Sequence, residues 1–355
     1  MANTRVIGLD IGTTAVRAVQ LEFGKSGPVG PGQPTLARYG EAPLPLGAVR
    51  DGEVTERDVV AHAIRELWAH YKFESKDVVI GVGNQRVVVR ELSLPAMPLP
   101  QLRASLPFQV QDLLPMSTDE ALLDFYPTDQ FDGENGLTVH GLLVAAVRDT
   151  VSANLLAVES AGLRPTMVDL NAFALLRCMT RGVLKEQTVA LVDIGARVTD
   201  VMIARNGVPR FIRTLAMGGQ DVTDAVARTM SISNAEAESL KRRLGVGFTV
   251  PAEYAEVAEV VSNVTQNLVE TIRNTFVYYS GNNPGSLLDS AVLIGGGAHL
   301  PGFGQYLASA SRLPVSLGDP LEKVTVARTA GGREAFAGIE SLIALPMGLA
   351  YGAAA

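Results

Sequence analysis

The chain has 355 residues, 47% of them hydrophobic and 19% charged, with 37 acids against 30 bases and a net charge of −7. That length exceeds one ordinary core, so two domains are expected, and an acidic balance without a long basic run argues against nucleic acid as the principal ligand. No apolar run reaches the roughly 18 to 20 residues of a membrane span, no apolar signal segment precedes the first strand, so export is not expected, and the lone Cys178 fits a reducing cytoplasm and excludes an intramolecular disulfide or a cysteine metal cage.

In chain order, Arg5 to Ile11 reads as a strand, Gly12 to Thr14 as a tight turn, and Ala15 to Phe23 as a second strand. The glycine- and proline-rich stretch Gly24 to Pro34 is expected to be a loop leading to a third strand at Thr35 to Tyr39. Val60, Ile64, Leu67, Trp68 and Tyr71 share one face of a helix predicted over Thr55 to Tyr71. Strands follow at Asp77 to Val82 and Arg86 to Leu94. Prolines then break the pattern, and a helix around Leu102 to Leu114 is the one element expected before a strand at Val139 to Val147. From Arg103 to Asn135 a single base stands against seven acids, Asp112, Asp119, Glu120, Asp124, Asp129, Asp132 and Glu134, a run expected to be a solvated face. A helix at Thr150 to Ala161 and a strand at Pro165 to Leu170 complete the first half.

The second half restarts with a hairpin at Val189. A strand at Val208 to Leu215, helices at Asp221 to Met230 and Ala235 to Leu244, a long helix from Tyr254 to Ser280 and a strand at Ser290 to Ile294 follow. Ser233 and Glu236 have the spacing of a capping box ahead of the second of these helices. Hairpin, strand, helix, strand, helix occurs in both halves, which predicts duplicated α/β domains around a cleft.

The repeat carries chemistry. Leu9-Asp10-Ile11-Gly12 returns as Val192-Asp193-Ile194-Gly195. A glycine turn lets backbone N–H groups approach an anion, and the carboxylate at the strand end can hold a hydrated cation that a phosphate shares. Two such hairpins facing each other would clamp a polyphosphate and its metal. Gly218 and Gly219 open a helix and are expected to offer N–H groups to a phosphate. The four histidines, His62, His70, His140 and His299, are too scattered for a zinc site.

With these motifs in place the chain resembles the actin-like ATPase superfamily, which includes actin, the heat-shock 70 chaperones, FtsA and sugar kinases. Leu9 to Thr14 looks like its first phosphate motif, Val192 to Val201 its second, Val292 to Phe303 its adenosine motif, and Val168 to Leu176 and Leu345 to Gly352 its connecting helices. The resemblance implies an α/β actin-like fold of two duplicated RNase H-like domains with a small α+β subdomain inserted in the first. The boundaries expected are 1–83 and 159–175 with a C-terminal helix at about 340–355 for the core of domain I, 84–158 for the insertion, and 176–339 for domain II. It implies ATP and Mg as cofactors. Asp10 and Asp193 would face Mg through water, Gly12, Thr13, Thr14 and Gly195 would take phosphates, Glu238 and Lys241 with Arg242 would meet ribose and adenine, Gly295, Gly296 and Gly297 would admit the base against bare backbone, and His299 would cover it.

Departures from the superfamily pattern bear on turnover. Ala196, Arg197 and Val198 stand where two glycines and a threonine are usual. Asn171 stands where chaperones carry a glutamate, with Asp169 two residues earlier; an amide can hold the attacking water but cannot take its proton. Asp200 is retained, so Asp200, Asp169 and Asn171 are the candidate catalytic residues of what is at most a slow Mg-dependent ATPase.

Within the superfamily, Arg86 to Pro115, Val144 to Val147 and Glu159 to Asp169 are similar to the PilM family of cytoplasmic type IV pilus assembly proteins. The chain stops without the basic amphipathic tail expected of FtsA. This resemblance implies an ATP-loaded adaptor that binds the short cytoplasmic N-terminus of a PilN-like inner-membrane protein between the domain I core and the insertion, alongside other pilus platform proteins, with the membrane engaged only indirectly. An FtsA-like filament protein, or a true ATPase or kinase, is the alternative.

Overall fold

Hydrophobic alternation at the amino end produces the expected hairpin of β1 (Thr4–Ile11) and β2 (Ala15–Phe23), antiparallel with Asp10 opposite Arg17. In the computed structural model residues 4–24, 32–133 and 136–352 are described; most of the loop expected at Gly24 to Pro34, and Glu134 of the acidic run, lie outside them. β3 (Thr35–Pro43) runs four residues beyond its expected end, and a small hairpin, β4 (Val49–Arg50) and β5 (Glu53–Val54), precedes α1 (Arg57–Tyr71). α1 stops at Lys72, which takes the left-handed conformation (φ 55°) and returns its N–H to the Trp68 carbonyl. β6 (Asp77–Val82) then leads into the insertion.

The insertion consists of β7 (Val87–Pro95), α2 (Leu99–Val110), β8 (Ala121–Gly133) and β9 (Gly136–Val147), with sheet order β7-β9-β8. Leu102, Leu106 and Val110 of α2 close over Leu94, Phe125 and Leu143 to make its own small core. β8 corrects the expectation that α2 was the one element before β9. It is an edge strand that buries Ala121 and Phe125 on a largely exposed run, so its acids hide the period-two signal, and Pro127 sits at a bulge, where an edge strand tolerates it. The described acids of this run are exposed, and two of them are paired at the surface, Asp124 with Arg103 and Asp129 with Arg210 of the second half.

α3 (Arg148–Ser160), β10 (Arg164–Leu170) and α4 (Asn171–Met179) return to the first sheet. Ala157 and Val158 of α3 share a core with Ile7 and Leu9 of β1 and with Ile64 and Leu67 of α1, so this helix packs on the main sheet and not on the insertion's own core. The second half contains β11 (Thr188–Ile194), β12 (Thr199–Arg205), β13 (Val208–Leu215), α5 (Gly219–Met230), α6 (Asn234–Leu244), α7 (Ala255–Asn282), β14 (Ser290–Ile294), α8 (Phe303–Ser311) and β15 (Val315–Leu317). The chain crosses back through β16 (Thr325–Val326) to α9 (Ala344–Gly352). The capping box holds: Ser233 N–H donates to Glu236 Oε2 at 3.0 Å and Glu236 N–H to Ser233 Oγ at 3.3 Å.

The sheets read β10-β6-β1-β2-β3-β16 and β13-β12-β11-β14-β15. In each, the antiparallel hairpin β1–β2 or β11–β12 has a parallel strand, β6 or β14, on its other side. Parallel pairing brings the carboxyl ends of both strands to one edge, the place where α/β sheets carry ligands. α4 and α9 lie in a core shared by both halves, with Leu175, Leu176, Met347 and Ala350 beside Leu191 and Met202.

Candidate functional site

Both hairpin turns close with the same bond. Gly12 N–H donates to the Ala15 carbonyl at 3.0 Å, and Gly195 N–H to the Val198 carbonyl at 2.9 Å. Each turn thus uses its glycine N–H internally, while among the described residues the N–H groups of Thr13 and Thr14 have no acceptor within the protein. β14 runs beside β11 and brings Gly295 against Asp193: a Cβ there would lie 2.2 Å from Asp193 Oδ1, and φ is +80°, so only glycine fits.

The two turns face one cavity of about 320 Å3 between the halves. It is lined by Asp10, Gly12, Thr13, Thr14, Asn171, Asp193, Gly195, Asp200, Gly219, Glu238, Lys241, Arg242, Gly295, Gly296 and Gly297 of the expected set. His299 is not in that wall. It lines a side lobe of about 140 Å3 that shares Gly219, Glu238, Lys241, Arg242, Gly296 and Gly297 with the main cavity, and its Nε2 sits 2.7 Å from Ser341 Oγ on the segment entering α9. Burial and the nearby Arg242 lower its pKa and keep the ring neutral.

Two expected residues are not brought to the site. Asp169 lies at the α4–α9 contact, where its carboxylate accepts from Arg177 Nη1 at 2.8 Å; it packs helices and does not face the cavity. Gly218 is the N-cap of α5, and its N–H is taken by the Asp221 carboxylate at 2.7 Å. Gly219 lines the cavity, yet its N–H donates to the Gly195 carbonyl at 2.9 Å, and Gln220 N–H to the Ala196 carbonyl at 2.7 Å. The α5 N-terminus is therefore closed by the protein itself, and Asp221, an anion already in place, would repel a phosphate. Arg197 reinforces this closure, bridging Asp221 at 2.9 Å and Asp224 at 2.5 Å.

The charge balance of the cavity asks for a cation. Burial lifts Asp10 to about 6, with Arg17 opposing and Glu41 adding. Burial, then the neighbouring Asp200 and Asp10, lift Asp193 to about 7. Burial lifts Asp200 to about 6 against the hydroxyl of Thr214, which donates to it at 2.5 Å. Arg17 is the base beside them, 3.9 Å from Asp10 but closer, at 2.8 Å, to Glu41. Hard oxygen donors that repel one another match Mg, which keeps several waters and uses one or two carboxylates. Among the described residues no three His, Cys, Asp or Glu side chains could hold an ion by themselves. The residues present thus fit Mg and a polyphosphate.

Glu238 anchors the other end. Burial alone would raise its pKa, but hydrogen bonds from Lys241, Thr223 and Arg242 hold it at about 2. Lys241 Nζ also donates to the Gly219 carbonyl at 3.0 Å and to Thr223 Oγ1 at 2.9 Å, so this lysine braces α6 on α5, whereas Arg242, paired through Nε with Glu238 at 2.7 Å, has a largely exposed side chain at the cavity wall. Arg17, Gln220, Ser341, Leu342 and Leu345 also line the cavity and were not expected there. Arg17 was recoverable, because hairpin register sets it opposite Asp10; nothing local marks the other four.

The family model for the type IV pilus assembly protein PilM matches residues 8–352. Cell division protein FtsA of Bacillus subtilis is 22% identical over 284 residues, 73% of this chain, which spans 62% of that protein's length. Among solved structures, a PilM-PilN type IV pilus biogenesis complex superposes with a TM-score of 0.84 at 26% identity, covering 98% of both chains. MreB 5 of Spiroplasma citri bound to AMPPNP superposes with a TM-score of 0.54 at 13% identity, covering 97% of this chain and 94% of the other, a likeness of fold. The paired sheets, the duplicated Asp-Ile-Gly turns and the insertion accordingly make an actin-like ATPase fold, and the chain belongs to the PilM family of type IV pilus assembly proteins.

Proposed function

We propose that the chain is an ATP-binding adaptor of the pilus assembly platform. It holds MgATP in the cleft between its halves, turns it over slowly or not at all alone, and takes the short cytoplasmic N-terminus of a PilN-like inner-membrane partner between the domain I core and the insertion. That partner holds it at the inner face of the membrane; among the described residues no helix is long and apolar enough to cross one. The observation that carries the nucleotide reading is the convergence of Asp10, Asp193 and Asp200 on facing glycine turns. Mg supplies the positive charge that lets these carboxylates and a polyphosphate share the cleft. Thr13 and Thr14 donate backbone N–H groups from the first half, Gly295 to Gly297 keep the approach to Asp193 and the base lobe open, and Glu238 offers its remaining lone pair, on Oε1, to a ribose hydroxyl. Calorimetry should show that Asp10→Ala weakens MgATP binding at least tenfold; unchanged affinity would remove Asp10 from the site.

Slow turnover follows from the groups near the terminal phosphate. Asn171 cannot accept a proton, and its amide is wedged against β6, where a Cβ on Gly81 would lie 2.0 Å from its Oδ1. Asp200 is left as the general base, and one of its oxygens is taken by Thr214. A steady-state rate below about 1 s⁻¹, the low end for ordinary enzymes, is expected; tens of turnovers per second would overturn the assignment.

The adaptor reading is supported by family membership, by the likeness to the PilM-PilN complex, and by how the insertion is seated. Tyr126 of β8 packs on Phe173 of α4 at 5.0 Å between ring centroids, and α4 carries Asn171 and Leu175 into the cavity wall. A ligand in either place biases the same helix, so a peptide that prefers the ATP-bound arrangement tightens ATP by the factor by which ATP tightens it. Titrating the partner's N-terminal peptide with and without MgATP tests this. Binding in neither state would sink the adaptor; equal affinity in both would remove the coupling.

A further inference from the structure

α7 contains three threonines, and they behave differently. Thr271 donates its hydroxyl to the Asn267 carbonyl at 2.7 Å and Thr275 to the Thr271 carbonyl at 2.9 Å, the usual outlet for a threonine inside a helix. Thr265 is 1% exposed, yet among the described residues its Oγ1 has no hydrogen-bond partner. A buried, unpaired hydroxyl is costly to a fold, and it is rare unless a water or a ligand meets it.

Thr265 lines the 140 Å3 side lobe, together with the apolar Ile194, Leu268 and Phe303 and the polar Glu238, Lys241, Arg242 and His299. An apolar-walled cavity of roughly 150 Å3 is enough for a benzene-sized ring. The lobe opens to the main cavity through Gly296 and Gly297, and at Gly297 a Cβ would lie 2.3 Å from Ile194 Cγ2, so that wall stays bare of side chain. An aromatic heterocycle entering from the ribose side at Glu238 meets apolar faces and then a single unsatisfied polar atom.

We propose that the Thr265 hydroxyl reads the edge of the nucleotide's base, pairing with the 6-amino group of adenine, and so sets base preference in a lobe where, among the described residues, it is the buried side-chain polar atom without a partner. The proposal rests on the nucleotide reading above. As an acceptor the hydroxyl takes an N–H of the amino group, a donor that a purine with hydrogen at that position does not offer. A site built around such a bond rejects an analogue that lacks the partner, because the buried group is then stranded.

The experiment measures ATP and purine riboside triphosphate, which lacks the 6-amino group, on the wild-type protein and on Thr265→Val. The wild type should favour ATP by about tenfold. The valine variant should lose that factor for ATP and bind the analogue as the wild type does. Nucleotide-free Thr265→Val should melt no lower than wild type, since an unpaired hydroxyl has been removed. Should valine not fold, Thr265→Ser retains the hydroxyl and should preserve the preference for ATP. Equal ATP affinity in wild type and Thr265→Val would overturn the contact, with nucleotide binding itself intact; a wild-type protein that binds neither triphosphate would instead overturn the nucleotide reading and this contact with it.

Discussion

Asp193→Asn should stabilise the nucleotide-free protein at pH 8 and at the same time abolish its stabilisation by MgATP. Burial, with Asp200 and Asp10 close by, raises Asp193 from 3.8 to about 7. A folded state that binds the proton more tightly than the unfolded chain is favoured below pH 4, and that advantage is lost as pH rises through about 7. At pH 8 the carboxylate is ionised beside two others, and the fold carries the strain. At about 1.4 kcal/mol per pH unit the ceiling is about 4 kcal/mol; coupling among the three acids and water in the cleft reduce this to on the order of 1–3 kcal/mol. The wild-type melting temperature should therefore fall from pH 5 to pH 8, and the variant's should fall less, with Asp10 and Asp200 supplying the remaining slope. Adding MgATP at pH 8 should raise the wild-type midpoint by mass action and leave the variant where it was. A wild type that gains stability from pH 5 to pH 8 without ligand would show that these acids are not held in one desolvated cleft.

What was legible in the chain was local and repeated. Asp10-Ile11-Gly12 and Asp193-Ile194-Gly195 announce the two turns because a strand end, an acid and a glycine suffice to define one. The capping box at Ser233 and Glu236 was readable for the same reason. Gly218 and Gly219 were misleading: glycines at a helix start look like an open anion site, but Asp221 at the third helical position was the signal that a carboxylate caps that end. Other features depend on residues far apart in sequence. Ser341 meets His299 only once the final segment folds back, Asp169 leaves the site because Arg177 claims it, and β8 is held by β9 despite its own acids and proline. Thr265 reads as one more small residue on a long amphipathic helix until its missing hydrogen bond is seen.

The second large effect is expected at the crossing of α4 and α9. Gly348→Ala should destabilise the protein by at least about 3 kcal/mol and lower its melting temperature by roughly 5–10 °C. A Cβ on Gly348 would lie 2.1 Å from the Ala174 carbonyl oxygen, and on the sheet side of α9 a Cβ on Gly8 would lie 2.0 Å from the Pro346 carbonyl oxygen. Both neighbours are backbone, so no rotamer relieves the overlap and the helix must move. Arg177 ties the same place together, donating to the Gly348 carbonyl at 3.0 Å and to Asp169. Because α4 carries Asn171 and Leu175, and α9 carries Leu345, into the cavity wall, forcing the helices apart should also weaken nucleotide binding. Gly281→Ala is the control: a Cβ there meets nothing within 4 Å near the end of α7, so it should leave nucleotide affinity alone and add about 0.5 kcal/mol through helix propensity. If Gly348→Ala melted with the wild type, the two helices could not be packed backbone to backbone, and the route from the cleft to the insertion through α4 would lose its rigid support.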